Sequence, residues 1–298
     1  MSARPPQRPD VQRTVAIQEE AALERRHWVR IAYACNNRCG FCLDAYLRPD
    51  GPFVATDEVR REMARGRDQG ATRLILSGGE ASIHPDFLAL VQHGRELGYE
   101  RVQTITNGRM FAYGGFLNKA LRAGLGEVTF SIHSHEPAVH DRLTGVEGAH
   151  QQALQGLRAA LTQPALVVSV DIVVNAENVA TLADTVATFA DEGVGEFDLL
   201  HLVPFGRAFD HERGRVPLAV SPADYAAALE RTIDLARERD LVVWTNRLPA
   251  PVLEGHEHLI QDPHKLEDEV RGRHAHLERL VAHGEPLPCR DERCAVCY

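Results

Sequence analysis

The sequence predicts an α/β fold: a partial (β/α)6 TIM-like barrel followed by a small C-terminal α/β extension. Short, nearly continuous apolar segments alternate with helical patterns, as in βα units around a parallel sheet that helices cover. The units recur about every 30 residues, and six of them fall short of the eight that close a full barrel of typically ~250 residues. A doubly wound sheet is the structural alternative, because periodicity alone does not distinguish the two.

The chain of 298 residues divides into three predicted parts. Residues 1–26 form a tail with a short helix over Ile17–Arg26, residues 27–206 form the barrel core, and residues 207–298 form the extension. The predicted core strands are Trp28–Ala34, Arg73–Leu76, Val102–Thr106, Glu127–Ile132, Leu166–Val174 and Glu196–Leu202, and the predicted core helices are Thr56–Asp68, Pro85–Leu97, Gly115–Ala123, Gly148–Leu161 and Asn178–Glu192.

The extension begins with a strong helix start, because Ser221 suits the N-cap position and Pro222 suits the first helical turn. This helix is predicted to end near Arg239. A further strand over Leu241–Thr245 follows, and then a charged helix over Leu266–Ala282.

Composition and charge restrict the classes of partner. The chain has 33 Lys and Arg against 42 Asp and Glu, a net charge of −9, which argues against a surface built for nucleic acid or anionic membrane. No apolar run approaches the ~18 residues that span a bilayer, and residues 1–10 lack the apolar segment of a secretory signal. We therefore expect a cytoplasmic protein whose six cysteines are ligands or catalysts.

Three cysteines follow the first predicted strand in the spacing C-x3-C-x2-C, namely Cys35, Cys39 and Cys42. Iron–sulfur clusters take thiolate ligands, whereas a structural zinc ion takes four ligands, normally from paired C-x2-C units. Three thiolates on one tight loop therefore indicate a four-iron cluster with one iron that has no protein ligand. A zinc loop or reduced core cysteines are the alternatives.

The spacing of this loop, its place after the first strand and the aromatic Phe41 resemble the radical S-adenosylmethionine (SAM) superfamily. The resemblance implies that Cys35, Cys39 and Cys42 ligate a [4Fe–4S] cluster and that SAM chelates the open iron, with Phe41 near its adenine. It also implies that the reduced cluster cleaves SAM to methionine and a 5′-deoxyadenosyl radical, which abstracts hydrogen from the substrate.

Polar residues follow the predicted strands at their carboxyl ends, where α/β barrels bind ligands. Glycines allow close approach of the backbone, and the Glu80 carboxylate suits the SAM ammonium group. This turn resembles the GGE element of the superfamily, although Ala81 replaces the usual proline. The predicted cofactor-binding residues are Phe41, Gly78, Gly79, Glu80, the Thr106-Asn107 pair of a TNG-like turn, Ser131 and Asn175. The ordinary alternative is turn chemistry without a ligand.

Four histidines lie near these strand ends: His84, His133, His135 and His140. They could form a metal site or supply an acid or base at the barrel mouth. The more ordinary interpretation is that they begin helices and line loops. His133 is the strongest candidate, because it directly continues the fourth strand.

The other three cysteines, Cys289, Cys294 and Cys297, lie in the last ten residues. They resemble the auxiliary-cluster extensions of the SPASM and Twitch groups, which implies a second iron–sulfur cluster. A cluster held only by protein thiolates would need a fourth cysteine. An open iron that binds substrate, a non-cysteine ligand and a zinc knuckle all remain as interpretations.

The leading functional hypothesis is a radical SAM enzyme acting on a small-molecule or peptide substrate, with a flavodoxin- or ferredoxin-like reductant implied by the resemblance. The 34 residues before Cys35 are too few for an N-terminal peptide-recognition domain, so a peptide substrate would need a separate recognition partner. We expect no nucleic-acid partner. The alternatives are a peptide or protein maturase with such a partner, a non-catalytic iron–sulfur electron carrier, and a zinc-dependent scaffold.

Overall fold

A computed structural model describes residues 25–43, 51–203, 206–209, 216–248, 250–253, 256 and 259–260. The predicted helix over Ile17–Arg26, apart from its last two residues, and the predicted helix over Leu266–Ala282 lie outside these residues. The described residues up to 253 belong to one compact unit. Within them, no helix is both long enough and apolar enough to cross a membrane.

Seven parallel strands form one open sheet in the order in which they occur along the chain. The strands are β1 (Arg26–Ala32), β2 (Arg73–Gly78), β3 (Arg101–Thr106), β4 (Glu127–Ser131), β5 (Val167–Val174), β6 (Glu196–His201) and β7 (Val242–Asn246). Sequential order and uniform parallel pairing are the pattern of consecutive βα units curving into an open barrel. The predicted fold class is therefore confirmed, and the doubly wound alternative, whose strand order reverses, is excluded.

Helices connect the strands and cover one face of the sheet. They are α1 (Thr56–Asp68), α2 (Phe87–Glu96), α3 (Phe116–Ala123), α4 (Pro137–Thr144), α5 (Ala149–Leu161), α6 (Leu182–Asp191), α7 (Pro222–Arg239) and the short α8 (Ala250–Leu253). The sequence analysis missed α4, whose two buried apolar residues, Val139 and Leu143, give too short a signal to separate from a loop. The predicted cap of α7 is present, since the Ser221 hydroxyl accepts a hydrogen bond from the Asp224 backbone N–H at 3.1 Å.

The seventh strand extends the sheet beyond the six predicted core strands. β7 pairs in parallel with β6, from Glu196 opposite Val242 to Leu200 opposite Asn246. The segment from α7 to β7, assigned from sequence to the extension, therefore adds another helix–strand unit to the barrel. The sequence pattern changes after residue 206 because a longer connection precedes α7. The sheet continues beyond this connection into β7.

The two faces of the sheet differ in chemistry because side chains alternate along each strand. Leu74 and Val102 are fully buried beneath α2. On the other face, Arg73 forms an ion pair with Glu127 at 3.2 Å, and the Thr129 hydroxyl lies 2.9 Å from that of Ser169. The polar interior gives way to the functional site at the carboxyl ends of the strands.

Candidate functional site

A cavity of about 310 Å³ lies at the carboxyl ends of the strands. It is lined by almost every residue that the sequence analysis selected in the described part of the chain, namely Cys35, Cys39, Phe41, Cys42, Gly78, Gly79, Glu80, Thr106, Asn107 and Ser131. These residues come from four different strand ends that lie far apart in sequence. The parallel sheet therefore brings together one site, as expected for this architecture.

The cysteine loop is held in place by backbone hydrogen bonds to two other segments. Arg38 N–H donates to the Thr144 carbonyl at 2.8 Å, and Gly40 N–H donates to the Leu143 carbonyl at 2.9 Å. The Cys42 carbonyl accepts a hydrogen bond from Arg207 N–H at 2.8 Å. The carboxyl end of α4 and the turn over Gly206–Ala208 thus fix the loop on both sides.

Among the described residues, Cys35, Cys39 and Cys42 form no disulfide bond, and the surroundings of Cys35 and Cys39 disfavour uncompensated thiolates. Burial, followed by the charge of Glu80, raises the pKa of Cys35 to about 12, although the Asn37 N–H bonded to its sulfur acts in the opposite direction. Burial and the proximity of Cys35 and Cys42 also raise the pKa of Cys39. A bound cationic metal group would offset this penalty, so the donor set fits such a group.

The structure leaves the zinc alternative without a complete set of ligands. Within the part of the chain that the structure describes, no three Cys, His, Asp or Glu side chains are grouped closely enough to hold one ion. A structural zinc ion takes four ligands, so a zinc site at Cys35, Cys39 and Cys42 would need a fourth ligand from elsewhere.

The two glycines after β2 allow the backbone to pass very close to the cysteine loop. Gly79 N–H donates to the Ala32 carbonyl at 2.7 Å, and Glu80 N–H donates to the Ala34 carbonyl at 2.8 Å. A Cβ atom at Gly79 would lie 2.2 Å from the Ala34 oxygen, and Gly78 has a φ of +143°. The sequence analysis attributed these glycines to approach of a ligand, and the structure adds that close backbone packing requires them.

Glu80 joins the turn after β2 to the turn after β3. Its Oε1 accepts hydrogen bonds from Ser82 N–H at 3.0 Å, Ser82 Oγ at 2.5 Å and Thr106 Oγ1 at 2.7 Å. Its Oε2 accepts one bond, from Asn107 N–H at 2.7 Å. Burial raises the pKa of Glu80, while these donors act to lower it. The carboxylate is thus fixed in orientation, and Oε2 retains capacity for a further donor.

Arg109, which the sequence analysis missed, ties the turn after β3 to the cysteine loop. Its guanidinium donates to the Asn36 carbonyl and, at 3.0 Å, to Asn37 Oδ1. A third bond reaches Gln152 Oε1 at 2.6 Å. The Asn107 side chain adds a bond from Nδ2 to Asn36 Oδ1 at 2.6 Å. An arginine one residue beyond a TNG-like turn gives no sequence signal for this long-range role.

His133 stands beside the predicted adenine site and is held as a neutral ring. It packs edge-to-face against Phe41 with ring centroids 4.7 Å apart. Its Nδ1 accepts a hydrogen bond from Val173 N–H at 3.2 Å, so the neutral ring carries its proton on Nε2. Burial, followed by the nearby His140, lowers the pKa of His133 well below its usual value. His133 can therefore act as a hydrogen-bond donor at neutral pH.

The other histidines have structural partners. The ring of His84 bonds the Val54 carbonyl at 3.0 Å and accepts from Asp86 N–H at 3.0 Å. His135 Nδ1 lies 3.0 Å from Thr185 Oγ1, and His140 Nδ1 accepts from His133 N–H at 3.2 Å. These contacts favour the helix-start and loop interpretation of the histidines over a shared metal site.

Asn175 does not line the cavity, and its predicted contact with cofactor is not supported. Its side-chain amide donates to the Val173 carbonyl at 2.9 Å, and its Oδ1 accepts from Glu177 N–H at 3.0 Å. Its backbone N–H donates to Asn178 Oδ1 at 2.8 Å. The side chain is fully buried, and its hydrogen bonds shape the turn after β5.

Four cavity-lining charged or titratable residues were not selected from the sequence: Arg30, Asp171, His201 and Arg247. The sequence does single out Asp171, because it is the only charged residue in β5, whose other residues are valines, one isoleucine and one serine. Arg247 directly follows β7, which the sequence analysis did not place in the barrel. The terminal residues Cys289, Cys294 and Cys297 lie outside the described residues.

Fold and site together define a class of protein: an open parallel α/β barrel that presents sulfur ligands for a metal cofactor at its strand ends. Residues 29–189 match the family model described as the Radical SAM superfamily, and this chain belongs to that superfamily. Membership in this enzyme superfamily implies a [4Fe–4S] cluster bound together with SAM, which the cysteine loop and the adjoining cavity can accommodate.

Curated relatives and solved structures agree with this assignment. A probable GTP 3′,8-cyclase of Saccharolobus solfataricus is 27% identical over 178 residues, which cover 60% of this chain and 57% of that protein. An AdoMet-dependent heme synthase of Methanosarcina barkeri is 28% identical over 206 residues, covering 68% of this chain and 56% of that protein. The chain thus spans little more than half the length of these relatives.

Among solved structures, Streptococcus suis SuiB bound to its precursor peptide SuiA superposes with a TM-score of 0.61 at 14% identity. The superposition covers 87% of this chain and 60% of SuiB. At this level of identity, the likeness shows that the two proteins share a fold.

Proposed function

We propose that this protein binds a [4Fe–4S] cluster through Cys35, Cys39 and Cys42 and cleaves SAM reductively to generate a 5′-deoxyadenosyl radical. The radical would abstract hydrogen from a small-molecule or peptide substrate. One observation carries the proposal: three cysteines on one loop, of which Cys35 is buried and the other two are partly buried, line the same cavity as the Glu80 carboxylate and the Thr106-Asn107 turn.

The residues of the chain have distinct tasks in this proposal. The three thiolates hold the cluster, and Glu80 Oε2 accepts a hydrogen bond from the ammonium group of SAM. Ser131 lies at the end of β4, where it can contact the ribose side of SAM. Phe41 lies near the adenine and packs with Val139, Leu143 and other apolar residues beneath the loop. This apolar layer excludes water from one side of the site, which protects a radical from side reactions.

We propose further that the terminal residues Cys289, Cys294 and Cys297 hold an auxiliary iron–sulfur cluster. An external flavodoxin- or ferredoxin-like protein would supply the electron. Two of the most similar relatives are named for small-molecule chemistry, and the solved structure with a peptide concerns another member of the superfamily. A small molecule is therefore the first substrate class to test, and a peptide with a separate recognition partner is the second.

The test is anaerobic reconstitution with iron and sulfide, followed by incubation with SAM and dithionite. We expect formation of 5′-deoxyadenosine and methionine, and their loss in Cys39→Ala, which removes one ligand of the catalytic cluster. Absence of 5′-deoxyadenosine from the iron-loaded wild-type protein would contradict the proposal.

Cys294→Ala is the matched variant for the auxiliary site. We expect it to bind about half of the wild-type iron, because one of two four-iron clusters is lost, and to retain 5′-deoxyadenosine formation. Iron content equal to that of the wild type would show that the terminal cysteines hold no cluster.

A further inference from the structure

Two arginines line the cavity from the two edges of the open sheet. Arg30 lies on β1 and pairs in register with Ser77 of β2, while Arg247 directly follows β7. In the described sheet, β1 and β7 are the first and last strands. Both residues thus line the cavity from edge strands, and the Arg30 guanidinium also lies 5.1 Å from the centroid of the Tyr33 ring.

The backbone of Arg247 is held in an unfavourable conformation. Its φ is +61°, in the left-handed region that residues with a Cβ atom rarely adopt. The other non-glycine residue with positive φ among those described is Asp240, which has the ordinary role of ending α7. Arg247 ends no helix, and a strained residue whose side chain lines a cavity is a common feature of functional sites.

We propose that Arg30 and Arg247 form a binding site for an oxyanionic group of the substrate, either a carboxylate or a phosphate. This inference rests on the proposed function, because it concerns the substrate of the same cavity. Guanidinium groups remain charged at every physiological pH and match both oxyanions in geometry. Each has five N–H donors, so each can keep a partner within the protein and still bind a ligand.

The other charged residues that line the cavity are consistent with separate sites for SAM and for the substrate anion. Glu80 is occupied by four donors and faces the predicted SAM site. Asp171 lies on β5 and also lines the cavity. The two arginines come from edge strands, whereas Glu80, the Thr106-Asn107 pair and Ser131 of the predicted SAM site come from the ends of β2, β3 and β4.

The test uses the cluster-loaded protein saturated with SAM and two small probes. Inorganic pyrophosphate represents the phosphate source and tricarballylate represents the carboxylate source, and isothermal titration calorimetry measures binding of each. We expect saturable binding of one equivalent of at least one probe, and the stronger of the two identifies the type of anion.

Arg30→Gln and Arg247→Gln are each expected to weaken binding of that probe by at least about tenfold, because a charge-assisted hydrogen bond is lost. Arg158→Gln is the control, since Arg158 pairs with Glu192 at the surface at 2.5 Å and does not line the cavity. Circular dichroism would confirm that each variant is folded.

The variant Arg247→Gly distinguishes the effect of backbone strain at this position from the effect of the contact between its side chain and the anion. We expect this variant to remain folded, because glycine tolerates positive φ, and to lose anion binding together with the side chain. A purely structural role for Arg247 would predict that a folded Arg247→Gly variant still binds the probe.

Three results would overturn the proposal: no saturable binding of either probe, binding that Arg30→Gln and Arg247→Gln leave unchanged, or, in a second titration begun without SAM, displacement of the bound probe when SAM is added. Displacement would mean that the arginines serve the SAM carboxylate. Failure of the proposed radical chemistry is a separate result, since it shows as absence of 5′-deoxyadenosine from the wild-type protein without any probe.

Discussion

The strand ends of β1 to β4 and those of β5 to β7 are built in different ways. In the first half, side chains connect one turn to the next: Glu80 bonds the turn after β3, and Arg109 and Asn107 bond the cysteine loop. In the second half, Asp171 and Arg247 line the cavity, whereas the one predicted site residue, Asn175, is bonded within its own turn.

This contrast corresponds to two different requirements of the site, namely a fixed geometry for the cofactor and variable contacts for the substrate. A cluster and SAM need fixed geometry in every member of the superfamily, and a cross-linked set of turns provides it without reorganisation. Substrate differs between members, so the residues that contact it vary from one chain to another. Under the proposed function, the cross-linked half, from β1 to β4, is the cofactor half, and the half from β5 to β7, together with Arg30 on β1, is where recognition of substrate is to be sought.

The largest effect is expected from Gly79→Ala, which adds a Cβ atom where the turn after β2 packs directly against the backbone of the cysteine loop. The added Cβ would meet the Ala34 carbonyl at 2.2 Å, so the cysteine loop must move. Displacement of about 1 Å can reduce rates by about 100-fold, and we expect at least this loss of 5′-deoxyadenosine formation. The measurement is the rate of SAM cleavage by the reconstituted protein.

Gly195→Ala, at the start of β6 in the other half, is the matched control for this substitution. An added Cβ there meets no atom within 4 Å, so SAM cleavage should stay at the wild-type rate. Equal activity of the two variants would show that the close approach at Gly79 is not needed for the site.

Glu80→Ala tests the hydrogen bonds by which the Glu80 carboxylate links the turn after β2 to the turn after β3. Removing the carboxylate leaves the N–H groups of Ser82 and Asn107 buried without an acceptor, which should lower the free energy of unfolding by about 3 kcal/mol. SAM affinity should fall by at least about tenfold, because the ammonium group loses its acceptor. Equilibrium dialysis with labelled SAM and chemical denaturation measure the two effects, and iron binding should be retained.

Glu192→Ala is the control for Glu80→Ala. Glu192 is paired with Arg158 on the surface, and loss of such a pair should change the free energy of unfolding by less than about 1 kcal/mol. Unchanged SAM affinity in Glu80→Ala would remove Glu80 from the proposed SAM site, even if the variant is destabilised.

A moderate effect is expected from Arg109→Lys. One ammonium group cannot replace a planar guanidinium that bonds Asn36, Asn37 and Gln152 together. We expect the cluster to be lost to an iron chelator about tenfold faster than in the wild type, as for loss of one charge-assisted bond. The decay of visible absorbance measures this rate, and a rate like that of Arg158→Lys would contradict the role of Arg109.

The fold and much of the cofactor half could be predicted from sequence because both rest on local signals. Each strand is a short apolar segment, and the cysteine loop and the glycine turn are compact motifs at its end. Parallel βα order then places these motifs together without knowledge of individual contacts. The short helix α4 escaped detection because its eight residues carry only a weak periodic pattern.

The proposed anion site, formed by Arg30 on β1 and Arg247 after β7, could not be predicted in the same way. Arg30 and Arg247 share one cavity only because the sheet has a seventh strand, and no local pattern relates two edge strands far apart in sequence. Arg109 was missed for the same reason, since its partners lie more than 40 residues away. Asn175 shows the opposite ambiguity: its side chain is bonded within its own turn and does not line the cavity, because an Asn after a strand suits a turn as well as a ligand, and its contact with cofactor stays a prediction.

The smallest effect expected at neutral pH, one that grows only under acidic conditions, concerns the buried histidine rings behind the cofactor half. His140 is stacked on His133, with ring centroids 5.7 Å apart, and burial, followed by the nearby His150, lowers the pKa of His140 to about 4. The ring is neutral in the folded protein, whereas in the unfolded chain it takes up a proton near pH 6.5. Folding is therefore opposed progressively as the pH falls from about 6.5 to 4, by up to about 3 kcal/mol.

His140→Asn removes this titration while its side-chain oxygen can still accept the hydrogen bond from His133 N–H. The variant should lose less stability than the wild type between pH 7 and pH 4, as measured by urea denaturation at each pH. At pH 7 the two proteins should bind the same amount of iron, because His140 supports the wall of the cofactor half without contacting the cavity. Parallel stability profiles of the two proteins would show that His140 does not titrate on unfolding, and that the histidine rings contribute packing alone.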